Sequence, residues 1–195
     1  YVHPDTLNGI RPYLADRGIA CAGGIATVPG QSFGLRQNSE LGWLHWESPV
    51  TQRDIAGFFT ENAAVFTSLI VDDFYCTADT SPASESARGN RSWGQYRRDL
   101  LVSLLEPMIL RPARAVRADV QLIFKYPQWY DRFHLFGYDP PRMSPPFDLI
   151  WVGTEVRNPH TRRMGYVQRT DGYVNFRLLA AVAGDKVQGA WFDHI

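Results

Sequence analysis

Short apolar runs alternate with amphipathic segments along the chain, and this alternation limits the possible folds more than any other feature of the sequence. The runs are Gly18 to Thr27, Ser68 to Phe74, Asp119 to Tyr126, Asp148 to Glu155 and Lys186 to Asp193. Their lengths and their β-branched and aromatic content are typical of strands. The second and fourth runs have apolar centres without polar alternation, which indicates strands that are covered on both faces.

The segments between these runs carry helix signals. One begins near Thr51, which is the predicted N-cap, and another follows a capping box formed by Ser92 and Gln95. Pro107 should kink or restart the second of these helices because proline lacks the N–H that an inner helical turn needs. A last helix is predicted with Asp171 as its cap.

Strands that alternate with helices predict a parallel sheet with crossover connections. A doubly wound open sheet and a (β/α)8 TIM barrel both fit this order. The barrel is favoured because no Gly-rich phosphate loop follows any strand and because the loops after the strands are long and aromatic. Five strands make only part of a barrel. We therefore expect residues 1–195 to form a single domain, a fragment of a larger (β/α)8 catalytic barrel whose remainder comes from the parent chain.

Composition excludes several classes of function. The chain has 20 basic and 20 acidic residues, so its zero net charge gives no electrostatic footprint for nucleic acid. No apolar run approaches the roughly 20 residues that span a bilayer. The two cysteines have no CxxC spacing and the five histidines no HxH pair, so neither a disulfide framework nor a zinc site is indicated. The favoured interpretation needs no metal and no cofactor. The compartment of the protein stays open.

Polar and charged residues stand at the ends of the last four runs. Asp72 and Asp73 lie near the end of the second run, Lys125 and Tyr126 end the third, Glu155 ends the fourth and Asp193 ends the fifth. In a parallel barrel these ends share one face, where active sites are built. Residues that are far apart in the chain are therefore expected around one pocket.

Several acids in one pocket suggest glycoside hydrolysis. This reaction needs one carboxylic acid to protonate the leaving oxygen and a second carboxylate to attack the sugar or to activate water. The predicted catalytic acids are Asp72, Asp73, Glu155 and Asp193. The preferred pair is one of the adjacent aspartates with Glu155. Neighbours in a strand point to opposite faces, so the sequence leaves open which aspartate faces the pocket.

Aromatic and planar polar side chains near these acids could bind a carbohydrate substrate. The predicted substrate-binding residues are Lys125, Tyr126, Trp129, Arg157 and Trp191. Aromatic faces suit the apolar faces of sugar rings, and charged groups suit their hydroxyls.

Other interpretations stand beside this one. A single aspartate at a strand end is usually a turn or cap residue. An enolase-type barrel would use the acids to bind Mg²⁺ with Lys125 as base, although the run that carries Lys125 has no acid at its carboxyl end. A non-catalytic carbohydrate-binding barrel would keep the aromatic residues without using the acids for catalysis.

Four stretches in this order resemble a group of bacterial proteins related to glycoside hydrolases with TIM-barrel domains. They are IVDDFYCT, LIFKYPQWYD, DLIWVGTEVR and GAWFD, and the similarity runs from about Ser68 to the end. The resemblance implies a carbohydrate-active barrel with acids at its strand ends. It extends to Asp72, Asp73, Glu155 and Asp193 and, less strongly, to Lys125 and Trp129. It does not imply a particular sugar.

Overall fold

The computed structural model of this 195-residue chain describes residues 4–25, 34, 42–155 and 169–191. Within these ranges the chain forms one five-stranded sheet with helices between consecutive strands. None of the helices in this part of the chain is long and apolar enough to cross a membrane.

All neighbouring strands of the sheet run parallel. The strands are β1 (Ala22–Gly24), β2 (Ser68–Val71), β3 (Gln121–Tyr126), β4 (Leu149–Gly153) and β5 (Val187–Trp191). They lie side by side in the order β1-β2-β3-β4-β5, as consecutive strands of a barrel do, whereas a doubly wound sheet reverses its order at a switch point. The predicted partial (β/α)8 barrel is confirmed.

Helices fill the connections between the strands. They are α1 (Pro4–Ala15), α2 (Pro49–Ala63), α3 (Pro82–Arg88), α4 (Trp93–Leu105), α5 (Arg111–Val116), α6 (Phe133–Phe136), α7 (Pro140–Met143) and α8 (Arg169–Ala183). The Ser92 side chain accepts a hydrogen bond from the Gln95 N–H, so the predicted start of α4 is confirmed. A π-helical stretch at Glu106–Leu110 separates α4 from α5, and the missing N–H of Pro107 accounts for this break.

Two predicted helix caps were wrong. Helix α2 begins at Pro49 and is capped by Ser48, whose hydroxyl accepts from the Val50 N–H, so Thr51 lies inside the helix. A proline in the first helical position already has the required φ, which fixes the N-cap three residues earlier than predicted. Asp171 lies in the first turn of α8 and does not precede the helix.

The outer face of the sheet forms the main core with the helices. Alternate residues of the central strands are almost completely buried on this side, and Phe124 of β3 is 0% exposed. Its ring contacts the rings of Tyr75, Tyr126, Tyr138 and Phe147 at centroid distances of 4.7–6.4 Å. Burial of these rings by the connecting helices and loops stabilises the sheet through the hydrophobic effect.

The inner face of the sheet leads to the charged end of the strands. Ile70 of β2 pairs with Ile123 of β3, which in turn pairs with Leu149 of β4. One step further toward the carboxyl ends, Lys125 pairs with Trp151. The apolar row therefore gives way to a lysine at the edge where the strands end.

Candidate active site

A cluster of four charged side chains forms where β2, β3 and β4 end, and Lys125 is at its centre. The Nζ atom of Lys125 lies 3.3 Å from Oδ1 of Asp72, 3.3 Å from both carboxylate oxygens of Asp73 and 3.0 Å from Oε1 of Glu155. Lys125 and Glu155 are both 3% exposed. We call these four residues the acid–lysine cluster.

The early end of β2 brings both adjacent aspartates into this cluster. Strand β2 stops at Val71, and the chain then turns, with the Tyr75 N–H bonded to the Asp72 carbonyl. Oδ1 of Asp72 also accepts the N–H of Asp73 at 2.7 Å. Strand alternation no longer applies beyond Val71, so both aspartate side chains can point to Lys125. The sequence left open which of the two faces the pocket, and the structure places both in the cluster.

Glu155 reaches the cluster because Gly153 leaves room for it. A Cβ atom at position 153 would lie only 2.6 Å from Oε2 of Glu155 and 2.7 Å from the backbone nitrogen of Gln128. Such contacts are shorter than van der Waals distances, so any side chain at this position would push Glu155 or the end of β3 away. Glycine thus allows the end of β3 and the Glu155 carboxylate to pack against the end of β4.

Asn175 of α8 links the carboxyl ends of β3 and β4 through hydrogen bonds. Its side-chain nitrogen donates to the Pro127 carbonyl at 3.0 Å and to the Gly153 carbonyl at 2.9 Å, and the residue is 0% exposed. Pro127 lies two residues after Lys125, and Gly153 lies two residues before Glu155. The amide therefore sets the distance between the chain segments that carry these two charges.

Asp73 has a higher pKa than an ordinary aspartate. Burial raises the pKa of Asp73 to about 6; the Lys125 ammonium opposes this rise, while the charges of Asp72 and Glu155 add to it. Burial alone would lower the pKa of Lys125, but the three carboxylates outweigh burial and raise it. Near pH 6 the cluster can therefore hold both a protonated carboxyl and a charged lysine.

Other predicted residues have different positions. Tyr126 is completely buried on the outer face, where its hydroxyl bonds to Ser144 at 2.9 Å, so it lies in the core and away from the acids. The cause is strand alternation, because Lys125 and Tyr126 are neighbours in β3. Trp129 is partly buried in the loop after β3. Trp191 is the last residue of β5, and Arg157 and Asp193 lie outside the described residues.

Sequence reasoning missed Asn175 and Gly153. The only signal for Asn175 is an amide in a helix that is otherwise largely apolar, and Gly153 has no sequence signal beyond its position near a strand end. Both act through contacts between segments that are far apart in the chain.

A resident metal ion would need ligands that are free to surround it. Among the described residues, no group of three or more histidine, cysteine, aspartate and glutamate side chains is arranged to hold one. The position between the three carboxylates is taken by the Lys125 ammonium, which supplies the positive charge there.

Fold and cluster together define the class: an α/β barrel domain with carboxylates at the carboxyl ends of its strands. The whole chain, residues 1–195, matches the model of the family described as probable glycosyl hydrolase, catalytic domain. The chain belongs to this family.

The proteins similar to this chain include one relative and two solved structures. An uncharacterized protein of Saccharolobus solfataricus is 26% identical over 200 residues, which cover 91% of this chain and 33% of that protein. The structure of a candidate sporulation-specific glycosylase, YdhD of Bacillus subtilis, matches with a TM-score of 0.60 at 12% identity. The matched region covers 97% of this chain and 57% of the glycosylase chain. A chitinase of Chromobacterium violaceum has a TM-score of 0.57 at 16% identity, covering 96% and 53%. At these identities the two solved structures show the fold, and this chain spans little more than half of either.

Asp73→Asn is expected to stabilise the protein at neutral pH. The folded state favours the protonated form of Asp73. The stability that this protonated carboxyl contributes is therefore complete below about pH 4 and is lost as the pH rises through about 6. The free energy of unfolding of the variant should exceed that of the native protein by about 1–3 kcal/mol at pH 7 and should be nearly equal at pH 4. Urea unfolding at both pH values measures this, with Asp185→Asn at an exposed turn as the control. A native-like pH dependence in Asp73→Asn would contradict the assignment.

Asn175→Ala should destabilise the fold more than loss of an ordinary helix amide. The change leaves two buried carbonyls without their donor, and we expect a loss of about 2–4 kcal/mol in the free energy of unfolding. The control is Asn62→Ala, whose amide bonds only to the Phe58 carbonyl in its own helix α2 and should cost about 1 kcal/mol or less. Equal losses in the two variants would show that the hydrogen bonds of Asn175 to the two strand ends stabilise the fold no more than an ordinary helix amide does.

Proposed function

We propose that this domain is the catalytic part of a glycoside hydrolase in which Asp73 is the general acid and Glu155 is the ionised carboxylate partner. The observation that carries the proposal is the acid–lysine cluster, in which three carboxylates from two strand ends contact one buried ammonium at 3.0–3.3 Å. Family membership over the whole chain supports the same reaction class.

Asp73 fits the acid because its pKa of about 6 keeps much of it protonated in mildly acidic solution. A glycosidase acid must deliver a proton to the leaving oxygen, and an ordinary aspartate has too little of the protonated form. The Asp73 side chain is 14% exposed, so a substrate oxygen can approach it. Asp72 is less suited to this role because its Oδ1 already accepts the Asp73 N–H.

Glu155 fits the partner carboxylate because Lys125 donates a hydrogen bond to its Oε1 at 3.0 Å. A nucleophile or base must be ionised, and an ammonium is the donor that ionised carboxylates bind most strongly. Gly153 and Asn175 hold the segment before it in place, so its oxygen is oriented before substrate arrives. Lys125 is then a positioning residue that also compensates the charge of the site.

The spacing of the two carboxyls favours retention of configuration. Oδ1 of Asp73 and Oε1 of Glu155 accept from the same ammonium nitrogen at 3.3 and 3.0 Å. The N–H bonds of an ammonium point to the corners of a tetrahedron, so two acceptors at such distances are typically about 5 Å apart, close to the roughly 5–5.5 Å of retaining enzymes. We therefore infer that Glu155 attacks the sugar directly, forming a glycosyl ester that water later hydrolyses with Asp73 as the base.

The rate of hydrolysis should report the ionisation of Asp73. Activity needs its protonated form, so kcat/KM is expected to fall as the pH rises above about 6. Asp73→Asn in the full-length protein should lose about 10²–10⁴-fold on substrates with poor leaving groups and should lose this pH limb. Dinitrophenyl glycosides, whose leaving group needs no proton, should be affected much less.

Glu155→Gln is the matched control because it should abolish hydrolysis of both kinds of substrate. A panel of aryl glycosides and polysaccharides supplies the substrates. If the native protein binds sugars without cleaving any of them and Glu155→Gln binds them equally well, the chain is a carbohydrate-binding barrel. Hydrolysis that Glu155→Gln leaves unchanged would contradict the role proposed for Glu155. Activity of the native protein that is lost in EDTA and restored by Mg²⁺ would favour the enolase-type alternative.

Product stereochemistry tests the inferred spacing. Proton NMR of the first product formed from an active substrate should show the same anomeric configuration as the bond that was cleaved. First formation of the opposite anomer would contradict the pairing of Asp73 with Glu155.

A further inference from the structure

Three aromatic side chains form a partly exposed surface on the connections that follow β1 and β3. Phe136 lies between two tryptophans, with its ring centroid 5.9 Å from that of Trp43 and 4.8 Å from that of Trp129. All three side chains are only partly buried, although they pack on the core. We call Trp43, Trp129 and Phe136 the aromatic surface.

The aromatic surface is assembled from separate loops at the carboxyl ends of the strands. Trp43 precedes α2 in the connection that follows β1, whereas the other two residues belong to the connection that follows β3. The loop after β2 joins them: the Thr77 N–H donates to the Phe136 carbonyl at 3.0 Å, and Nε1 of Trp46 donates to the Cys76 carbonyl at 3.2 Å. This same loop begins with Asp72 and Asp73, so one loop contacts the aromatic surface and also carries two members of the acid–lysine cluster.

The chain segment that carries Trp129 passes close to Glu155. The backbone nitrogen of Gln128 and Oε2 of Glu155 both lie within 2.7 Å of the position that a Cβ of Gly153 would take. Trp129 is the residue after Gln128. The backbone just before Trp129 therefore passes close to the Glu155 carboxylate, and the Trp129 ring packs on the Tyr138 ring at 5.7 Å, above the buried aromatic core.

We propose that the aromatic surface is a substrate subsite that stacks a sugar ring of the same carbohydrate chain, one or more units away from the bond that is cleaved. The proposal rests on the proposed function and narrows its substrate class to oligosaccharides or polysaccharides. The C–H faces of a pyranose ring are apolar and flat, so they bury well against indole and phenyl rings, while the ring hydroxyls stay in water. A single-sugar substrate that filled only the acid–lysine cluster would make no use of these rings.

Trp43 is the residue to test because it belongs to the aromatic surface but not to the cluster or its strands. In the full-length protein, Trp43→Ala should lower kcat/KM for long oligosaccharides about 3- to 30-fold, as expected for the loss of one stacking contact. It should change kcat/KM for an aryl monosaccharide less than twofold. Trp43→Phe keeps an aromatic face and should recover most of the loss.

Trp93→Ala is the control for loss of a partly buried tryptophan elsewhere, since Trp93 begins α4 and packs against Arg88 and Arg97. It should leave the dependence on chain length unchanged. An equal loss on short and long substrates in Trp43→Ala, or the same loss in Trp93→Ala, would overturn the subsite.

Binding separates failure of the subsite from failure of the proposed reaction. Calorimetry with Glu155→Gln should show tighter binding of longer oligosaccharides, and adding Trp43→Ala should remove this advantage. That result supports the subsite even if the native protein hydrolyses nothing, in which case only the proposed reaction fails. If chain length does not affect affinity, or if no oligosaccharide of the panel binds, the subsite is refuted.

Discussion

The contact between the Lys125 ammonium and three carboxylates is the interaction on which the site depends. A nearly buried lysine or glutamate without a partner would cost several kcal/mol, and here each compensates the other. Burial raises the pKa of Asp73, the charges of Asp72 and Glu155 raise it further, and the Lys125 ammonium only partly offsets these effects, so the pKa stays near 6. The fold therefore holds a carboxyl that ionises reluctantly, which is the property that acid catalysis requires.

The barrel makes this cluster possible because it brings the ends of distant strands to one edge. Parallel register places Lys125 beside the end of β2 on one side and beside β4 on the other. Gly153 and Asn175 then set the separation at the carboxyl ends to within contact distance. Loops after the strands add the aromatic surface, whose rings rest on the same buried core that supports the sheet. Rigid strands thus supply the charges, and loops supply the surface for binding.

The sequence was sufficient to predict the parallel sheet and the gathering of charged residues at its edge, because both follow from the order of apolar runs and from what terminates them. It could not predict that β2 ends at Val71, since the apolar pattern continues to Phe74 past the two acids. Nor could it place Tyr126, whose side depends on where the strand alternation starts. Asn175 was missed because its partners, Pro127 and Gly153, lie 48 and 22 residues away. The assignments of Arg157, Trp191 and Asp193 stay predictions.

The titration of the Asp73 carboxyl tests the central claim most directly. Carbon NMR of the side-chain carboxyl groups, with Asp73→Asn to identify the resonance, gives its midpoint in the native protein. The acid–lysine cluster predicts a midpoint near pH 6 and a further rise when Lys125 is replaced by methionine, which removes the charge that opposes the effect of burial. A midpoint near 4 that does not respond to Lys125→Met would show that the three carboxylates do not share this ammonium, and the proposed acid would have no physical basis.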